Sequence, residues 1–245
     1  MVKYIEIADI LRQRINDDYY PDHLLPNQNE LVEEFNVSRM TIKNAINILM
    51  MEGLVFSKRG ARTQILDHGF ADKDTSSANE YKGLSYQMKQ QKRKLESIVI
   101  SFEVTFPNEK IQEKLRISSE DPIYQIIRLR VLDDQPYILE HSYMPVDLVT
   151  GLSKEKLKGS IYEYIQEDLG HRFSGTYRTF QADKSDTYDQ KYLNCQLDDP
   201  VLELEQIVYL ENGRAVDYSK SRNRYDVRGY SLLDMHPELL NTKRK

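Results

Sequence analysis

Apolar positions in the first 66 residues recur with helical spacing in three blocks, then switch to short β-type runs. Tyr4, Ala8, Leu11 and Ile15 fall on one face of a helix, which predicts an amphipathic helix over 4–17. A loop over 19–26 with two prolines follows. Asn27 then stands three residues before Glu30, the spacing of a capping box, and predicts a second helix ending at Phe35. Asn36-Val37 reads as a tight turn. Ser38 offers the N-cap of a third helix, whose stripe is Ile42, Ala45, Ile46 and Leu49 and which ends near Gly53. Runs at 54–57 and 63–66 flank Lys58-Arg59-Gly60-Ala61-Arg62, a hairpin tip centred on glycine. The order is helix, helix, turn, helix, β-wing.

The stretch 67–80 is polar, rich in small residues and aperiodic, so it reads as a linker between a head (1–66) and a second unit (81–245). Strand patterns then dominate: 98–104, 123–132, 137–144, 177–182, 201–210 and 214–221. Asp133-Asp134-Gln135-Pro136 joins the second and third of these. Asn212-Gly213 is a two-residue hairpin signal between the last two. Short helices are expected at 108–115, at 160–169 with Ser160 and Glu163 as a capping box and Gly170 beyond its end, and at 186–194. Adjacent hairpins imply a largely antiparallel sheet, so the fold class is α+β.

Charge sharpens this outline. The 245 residues carry a formal net charge of −5, so the chain as a whole does not advertise nucleic acid. Its distribution does. Residues 1–37 hold three basic and eight acidic residues, whereas 38–65 hold Arg39, Lys43, Lys58, Arg59 and Arg62 against Glu52 alone. A helix-turn-helix lays its second helix in the major groove with the N-terminal residues nearest the bases. Arg39 and Lys43 are four apart and share a face opposite the apolar stripe, Arg39 suited to a bidentate contact with guanine and Lys43 to guanine or phosphate. Ser38 and Thr41 suit phosphate oxygens at the helix N-terminus. The candidate DNA contacts are Asn29, Ser38, Arg39, Thr41, Lys43, Asn44, Lys58, Arg59, Gly60 and Arg62.

Cys195 is the only cysteine, which rules out a disulfide within the chain and a thiolate metal cluster and fits a reducing compartment. No apolar leader stands at the start, and no run approaches the roughly 20 apolar residues that span a bilayer. A cytoplasmic location is expected. The five histidines show no metal-ligand spacing, and there is no phosphate-binding glycine loop, so neither cofactor nor metal is expected. A base and nucleophile pair of His141 and Cys195 is the one enzymatic alternative, and it is disfavoured.

The head resembles the GntR superfamily of bacterial regulators. Leu25-Pro26, Glu30-Leu31, Val37-Ser38-Arg39, Thr41, Glu52-Gly53-Leu54, Gly60 and Thr63 match its pattern. The resemblance implies that Arg39 and Lys43 read the major groove, that Thr41 holds phosphate, and that Gly60 lets the wing tip enter the minor groove. Lys43, Arg62 and Gln64 depart from the family's arginine, second glycine and phenylalanine. From 83 to about 230 the chain resembles the UTRA effector domain of the HutC-type subfamily, through the segments 126–145, 158–165 and 200–226. This implies a chorismate-lyase-like antiparallel sheet flanked by helices, a homodimer on palindromic operator DNA, and a small-molecule site, often for a phosphosugar. It also implies that Arg128, Arg130, Glu140, Ser160 and Tyr162 line that site, with Ser85 at a small polar position and the late stretch 217–224 contributing Tyr218 and Asn223. Asn223 replaces a tyrosine of the family.

The residues themselves agree in part. Strand side chains alternate, so Arg128 and Arg130 point the same way and suit an anion, while Glu140 and Ser142 share a face on the neighbouring strand. The competing reading has both arginines salt-bridged to Glu140 on a solvated face. Ser160 is equally a simple helix cap, and Tyr162 equally a core tyrosine. The expected function is a sequence-specific transcription repressor of a carbohydrate-utilisation operon, released by a small-molecule effector.

Overall fold

The computed structural model describes residues 3–58, 61–66, 74–77 and 83–232, with 74–77 and Gln90 given by backbone alone. The chain divides into two compact units, one comprising Met1–Glu80 with Gly229–Lys245 and the other Tyr81–Arg228.

The first unit begins with α1 (Lys3–Asn16), which buries Ile7, Ala8 and Leu11. Helix α2 (Gln28–Phe35) starts where the capping box requires. The Asn27 carboxamide oxygen accepts from the backbone N–H groups of Asn29 and Glu30, and the Glu30 carboxylate accepts from the Asn27 N–H at 2.8 Å. It ends at Asn36, whose left-handed backbone (φ 48°) forms the turn. Helix α3 (Arg39–Met51) follows, capped by Ser38, and Gly53 (φ 76°) releases the chain from it. Strands β1 (Val55–Phe56) and β2 (Gln64–Ile65) pair antiparallel as the wing. The apolar stripes meet in one core of Ile7, Leu11, Leu25, Leu31, Ile42, Ile46, Leu49 and Val55. The Arg12 guanidinium grips the Glu52 carboxylate in a fork, Nε to Oε2 at 2.7 Å and Nη2 to Oε1 at 2.6 Å, with both side chains buried. This ties α1 to the end of α3.

The stretch expected to be only a linker contains a strand, β3 (Asp74–Ser77). Its partner is β10 (Arg228–Ser231), from the far end of the chain. The sequence Asp-Thr-Ser-Ser has no apolar alternation to reveal it. The pairing rests on backbone hydrogen bonds to a segment about 150 residues away.

The second unit opens with α4 (Leu84–Gln90) and β4 (Leu95–Thr105), then α5 (Glu109–Leu115). Strands β5 (Ile123–Leu132) and β6 (Gln135–Pro145) precede α6 (Lys154–Leu157) and α7 (Ile161–Glu163), which runs on as a π-turn over Tyr164–Asp168. Strand β7 (Phe173–Lys184), α8 (Thr187–Tyr192), β8 (Pro200–Leu210) and β9 (Ala215–Arg224) complete it. One antiparallel sheet results, in the order β4-β5-β6-β9-β8-β7. On one face Tyr124, Ile126, Met144 and Val208 pack against Leu157, Ile161, Tyr164 and Ile165 of the α6–α7 segment. On the other, Ile207 and Tyr218 meet Ile111 and Leu115 of α5.

Two hairpin readings change places. The β5–β6 connection is the two-residue turn, Asp133-Asp134, both with positive φ (48° and 64°), and Pro136 joins the strand at a bulge. The β8–β9 connection carrying Asn212-Gly213 is a four-residue loop with Gly213 at φ 82°.

Candidate functional site

Two surfaces carry chemistry, one on each unit. On the head, Ser38 caps α3. Its Oγ accepts from the Thr41 N–H at 3.2 Å and lies 2.9 Å from Thr41 Oγ1, so both hydroxyls cluster at the positive end of the helix. Arg39 is exposed one residue on, and its Nε reaches Gln28 Oε1 of α2 at 3.5 Å, long enough to give way to a better acceptor. Thr41, Lys43 and Asn44 are half-buried, while Asn29 and Lys58 are exposed. Arg62 is exposed but donates from Nε to the Leu25 carbonyl at 3.3 Å, anchoring the wing to the loop before α2. Arg59 and Gly60, the expected wing tip, lie outside the described residues.

In the second unit, antiparallel register builds a polar patch on the sheet face beneath α6 and α7. Arg128 sits opposite Glu140, Glu140 opposite Ser221, and Ser221 opposite Leu204. The next rung is Ile126, Ser142, Ser219, Gln206 and Arg178. Directly opposite residues share a face, so these two rungs form one floor. Arg128 donates from Nη1 to the carbonyls of Leu157 (3.0 Å) and Gly159 (3.2 Å), and from Nη2 to Glu140 Oε2 at 2.7 Å. Arg130 donates to Ser85 Oγ of α4 at 2.8 Å and places Nη1 3.5 Å from the same Glu140 oxygen. The arginines do meet Glu140, as the competing reading held, but they are buried rather than solvated: both are about 5% exposed, Arg128 at 5% and Arg130 at 4%.

Tyr162 closes the floor from α7. Its hydroxyl donates to Asp217 Oδ2 (2.7 Å) and accepts from Gln206 Nε2 (2.7 Å), and Ser219 Oγ donates to the same Asp217 oxygen at 2.9 Å. Gly83 (φ +79°) precedes α4, and an added Cβ there would stand 3.0 Å from the Tyr162 ring, so only glycine fits. Four buried polar atoms on this face make no hydrogen bond among the described residues: Nε of Arg128, Nε of Arg130, Oδ1 of Asp217 and Oδ1 of Asn223. Buried polar atoms are nearly always paired, so four orphans on one face are unusual.

Electrostatics follow from the burial. Desolvation pushes Glu140 toward neutrality, but the Arg128 and Arg130 charges outweigh it and hold the carboxyl below its usual range. Burial lowers Arg130, an effect Glu140 opposes. Burial raises Asp217 to about 6, against the hydrogen bonds from Tyr162 and Ser219. Burial, then the neighbouring Asp217, drives Tyr162 well above its ordinary value, so its hydroxyl stays protonated.

Ser85, Arg128, Arg130, Glu140 and Tyr162 thus come together. Asn223 shares their face and is fully buried. Ser160 is half-buried and caps α7, accepting from the Glu163 N–H at 3.2 Å next to the Gly159 carbonyl that Arg128 holds. Tyr218 does not join them, which corrects the expectation for it. It lies on the opposite face, donates to Glu205 Oε2 at 3.0 Å and stacks on Tyr143. Residues 218 and 223 differ in parity, and a regular strand sends them to opposite sides. Applied to the same stretch, that rule would have flagged Asp217 and Ser219, which the sequence reading missed along with Gln206.

A winged helix-turn-helix with an exposed arginine on its capped second helix, in a chain that builds a separate sheet domain with a buried polar floor, defines a modular transcription regulator. Comparison with known proteins agrees. Residues 3–65 match the model of bacterial regulatory proteins of the gntR family, and residues 90–227 match the UTRA domain. The chain is 42% identical over 228 residues to the HTH-type transcriptional regulator GmuR of Bacillus subtilis, covering 92% of this chain and 95% of that one. It is 25% identical over 233 residues to the mannosyl-D-glycerate transport/metabolism system repressor MngR of Escherichia coli, covering 94% and 95% respectively. Among solved structures, YydK of B. subtilis superimposes with a TM-score of 0.77 at 26% identity, covering 96% of this chain and all of that one. The chain belongs to the GntR family of transcriptional regulators and carries a UTRA domain.

Proposed function

We propose that this protein is a cytoplasmic, homodimeric repressor of a carbohydrate-utilisation operon, released from a palindromic operator by a small phosphorylated sugar, and that it is not an enzyme. The observation that carries the effector reading is the set of buried, unpartnered polar atoms beside two guanidiniums on one sheet face. Guanidiniums suit a phosphate, and Asp217 and Glu140 suit sugar hydroxyls. The carbohydrate assignment draws on relatives: MngR, and a probable fructoselysine utilization operon transcriptional repressor of E. coli at 25% identity. Burial raises the Cys195 thiol to about 11, so it supplies no thiolate nucleophile at neutral pH.

Two recognition helices of a dimer reach successive major grooves when their centres stand about 34 Å apart or a multiple of it. Ser38 and Thr41 then hold phosphates, Arg39 reads a base, and Lys43 contacts guanine or phosphate. The effector needs to shift operator affinity by only about 5- to 150-fold, a coupling of roughly 1–3 kcal/mol. The test is a fluorescence-anisotropy titration of promoter fragments flanking the gene, repeated with a panel of sugar phosphates. Retention of one fragment, reversed by one sugar phosphate and insensitive to it in Arg128→Gln, is the expected result. Retention that no sugar phosphate alters would remove the effector half of the proposal.

A further inference from the structure

We propose that Glu140 is the selectivity filter of the buried arginine site. Its carboxylate, held between Arg128 and Arg130, keeps out bare inorganic anions and admits an anion only when that anion carries hydrogen-bond donors for Glu140 to accept. This rests on the reading that the site takes an anionic effector.

The geometry is that of a built-in competitor. One oxygen, Glu140 Oε2, lies 2.7 Å from Arg128 Nη2 and 3.5 Å from Arg130 Nη1, where an anion bridging the two guanidiniums would otherwise sit. Arg128 cannot swing away from it, because Nη1 is fastened to the Leu157 and Gly159 carbonyls. Arg130 is fastened on its other side to Ser85 Oγ. The side chains of Arg128 and Arg130 are 6% and 5% exposed and that of Glu140 is 15% exposed, so water screens the three charges little. An incoming phosphate therefore meets two guanidiniums that already share one fixed carboxylate, with Arg228 adding positive charge beside Arg130 and Asp217 negative charge beside Glu140, and must draw the guanidinium protons from a carboxylate already tethered there.

A bare phosphate gives nothing back to Glu140. A phosphate on a polyhydroxylated or amino-bearing body does, because its donors replace the guanidinium protons that Glu140 yields. The acceptor capacity of the floor fits such a body: Asp217 Oδ1 and Asn223 Oδ1 are buried acceptors without a donor among the described residues. Inorganic phosphate meets those same acceptors with repulsion. The filter acts by making the wrong ligand costly rather than by improving the right one.

The probe is inorganic phosphate, titrated calorimetrically into the full-length wild type, Arg130→Gln, Glu140→Gln and the double variant Glu140→Gln/Arg130→Gln. Glutamine keeps the shape and removes the charge. Phosphate affinity is expected to rise about tenfold or more in Glu140→Gln, and the gain is expected to vanish in the double variant. A merely structural Glu140 could only lose binding, so a gain separates the two roles. If wild type and Glu140→Gln bind phosphate equally, and both lose it with Arg130, the site takes anions but Glu140 does not filter them, and the inference is overturned while the effector reading stands. If neither binds phosphate in an Arg130-dependent way, both fall. Should the glutamine variant unfold, Glu140→Asp, which keeps the ion pair but draws the carboxylate back by one methylene, decides by the same titration. A phosphate affinity above wild type supports the filter, and an unchanged one overturns it.

Discussion

Replacing Glu52 with alanine should destabilise the head although Glu52 is not among its candidate DNA contacts. The Arg12–Glu52 fork joins α1 to the C-terminal end of α3 with two charge-assisted hydrogen bonds at 2.7 and 2.6 Å. Both side chains are nearly out of solvent, at 7% and 5% exposure. Removing one partner of such a pair costs about 3–5 kcal/mol when the remaining charge has no other counter-ion. Here Asp9 still pairs with Arg12 Nη1, so the expected loss is smaller, about 2 kcal/mol. A small domain has roughly 5–15 kcal/mol in total, and one of this size sits near the lower end. The variant head is then left with on the order of 3 kcal/mol, an unfolded share of somewhat under one molecule in a hundred. Urea unfolding followed by hydrogen exchange at α1 and α3 amides reads this directly. The control is Arg12→Met with Glu52→Leu. Replacing the whole pair by apolar groups of similar volume should recover most of the loss, since the desolvation cost goes with the charges. A Glu52→Ala loss below about 1 kcal/mol, or a double variant as unstable as the single one, would refute the reasoning.

Two further outcomes follow from the geometry. Ser38→Ala removes the acceptor for the Thr41 N–H and should lower head stability by about 1 kcal/mol, with Ser38→Asn recovering most of it in thermal unfolding. Asp217 is raised from 3.8 to about 6, so it binds its proton more tightly folded than unfolded. Its contribution to stability is complete below about pH 4 and is lost as the pH rises to about 6. Above that the buried charge costs up to about 3 kcal/mol, two units at roughly 1.4 kcal/mol each. Asp217→Asn should therefore flatten the stability profile between pH 4 and 7, and a profile as steep as wild type contradicts the assignment.

Local chemistry was legible in the sequence wherever a side chain closes on its own neighbours. Asn27 with Glu30, Ser38 with Thr41, and Ser160 with Glu163 all act within three residues, so spacing alone reveals them. The sheet face of Arg128, Arg130 and Glu140 was legible for a related reason, since alternation is fixed by the backbone. What escaped depends on distant partners. Strand β3 exists because β10 pairs with it, and Gln206 matters because Tyr162 reaches it from 44 residues away. Tyr218 misled because a family position was carried over without asking which face residue 218 takes. The helix expected over 160–169 is there, but its second half is a π-turn; the Tyr164 hydroxyl within it donates to the Thr150 carbonyl at 2.6 Å, a tertiary contact with no local signature.

The proposed DNA contact centres on the exposed N-terminal turn of α3. The decisive measurement is operator occupancy of the double variant Arg39→Ala/Lys43→Ala, with hydrogen exchange confirming an intact head. Neither side chain belongs to the head's buried core, so the fold should survive while promoter binding falls to the level of a scrambled fragment. A folded double variant that still holds the promoter as tightly as wild type would contradict the assignment of this surface to DNA.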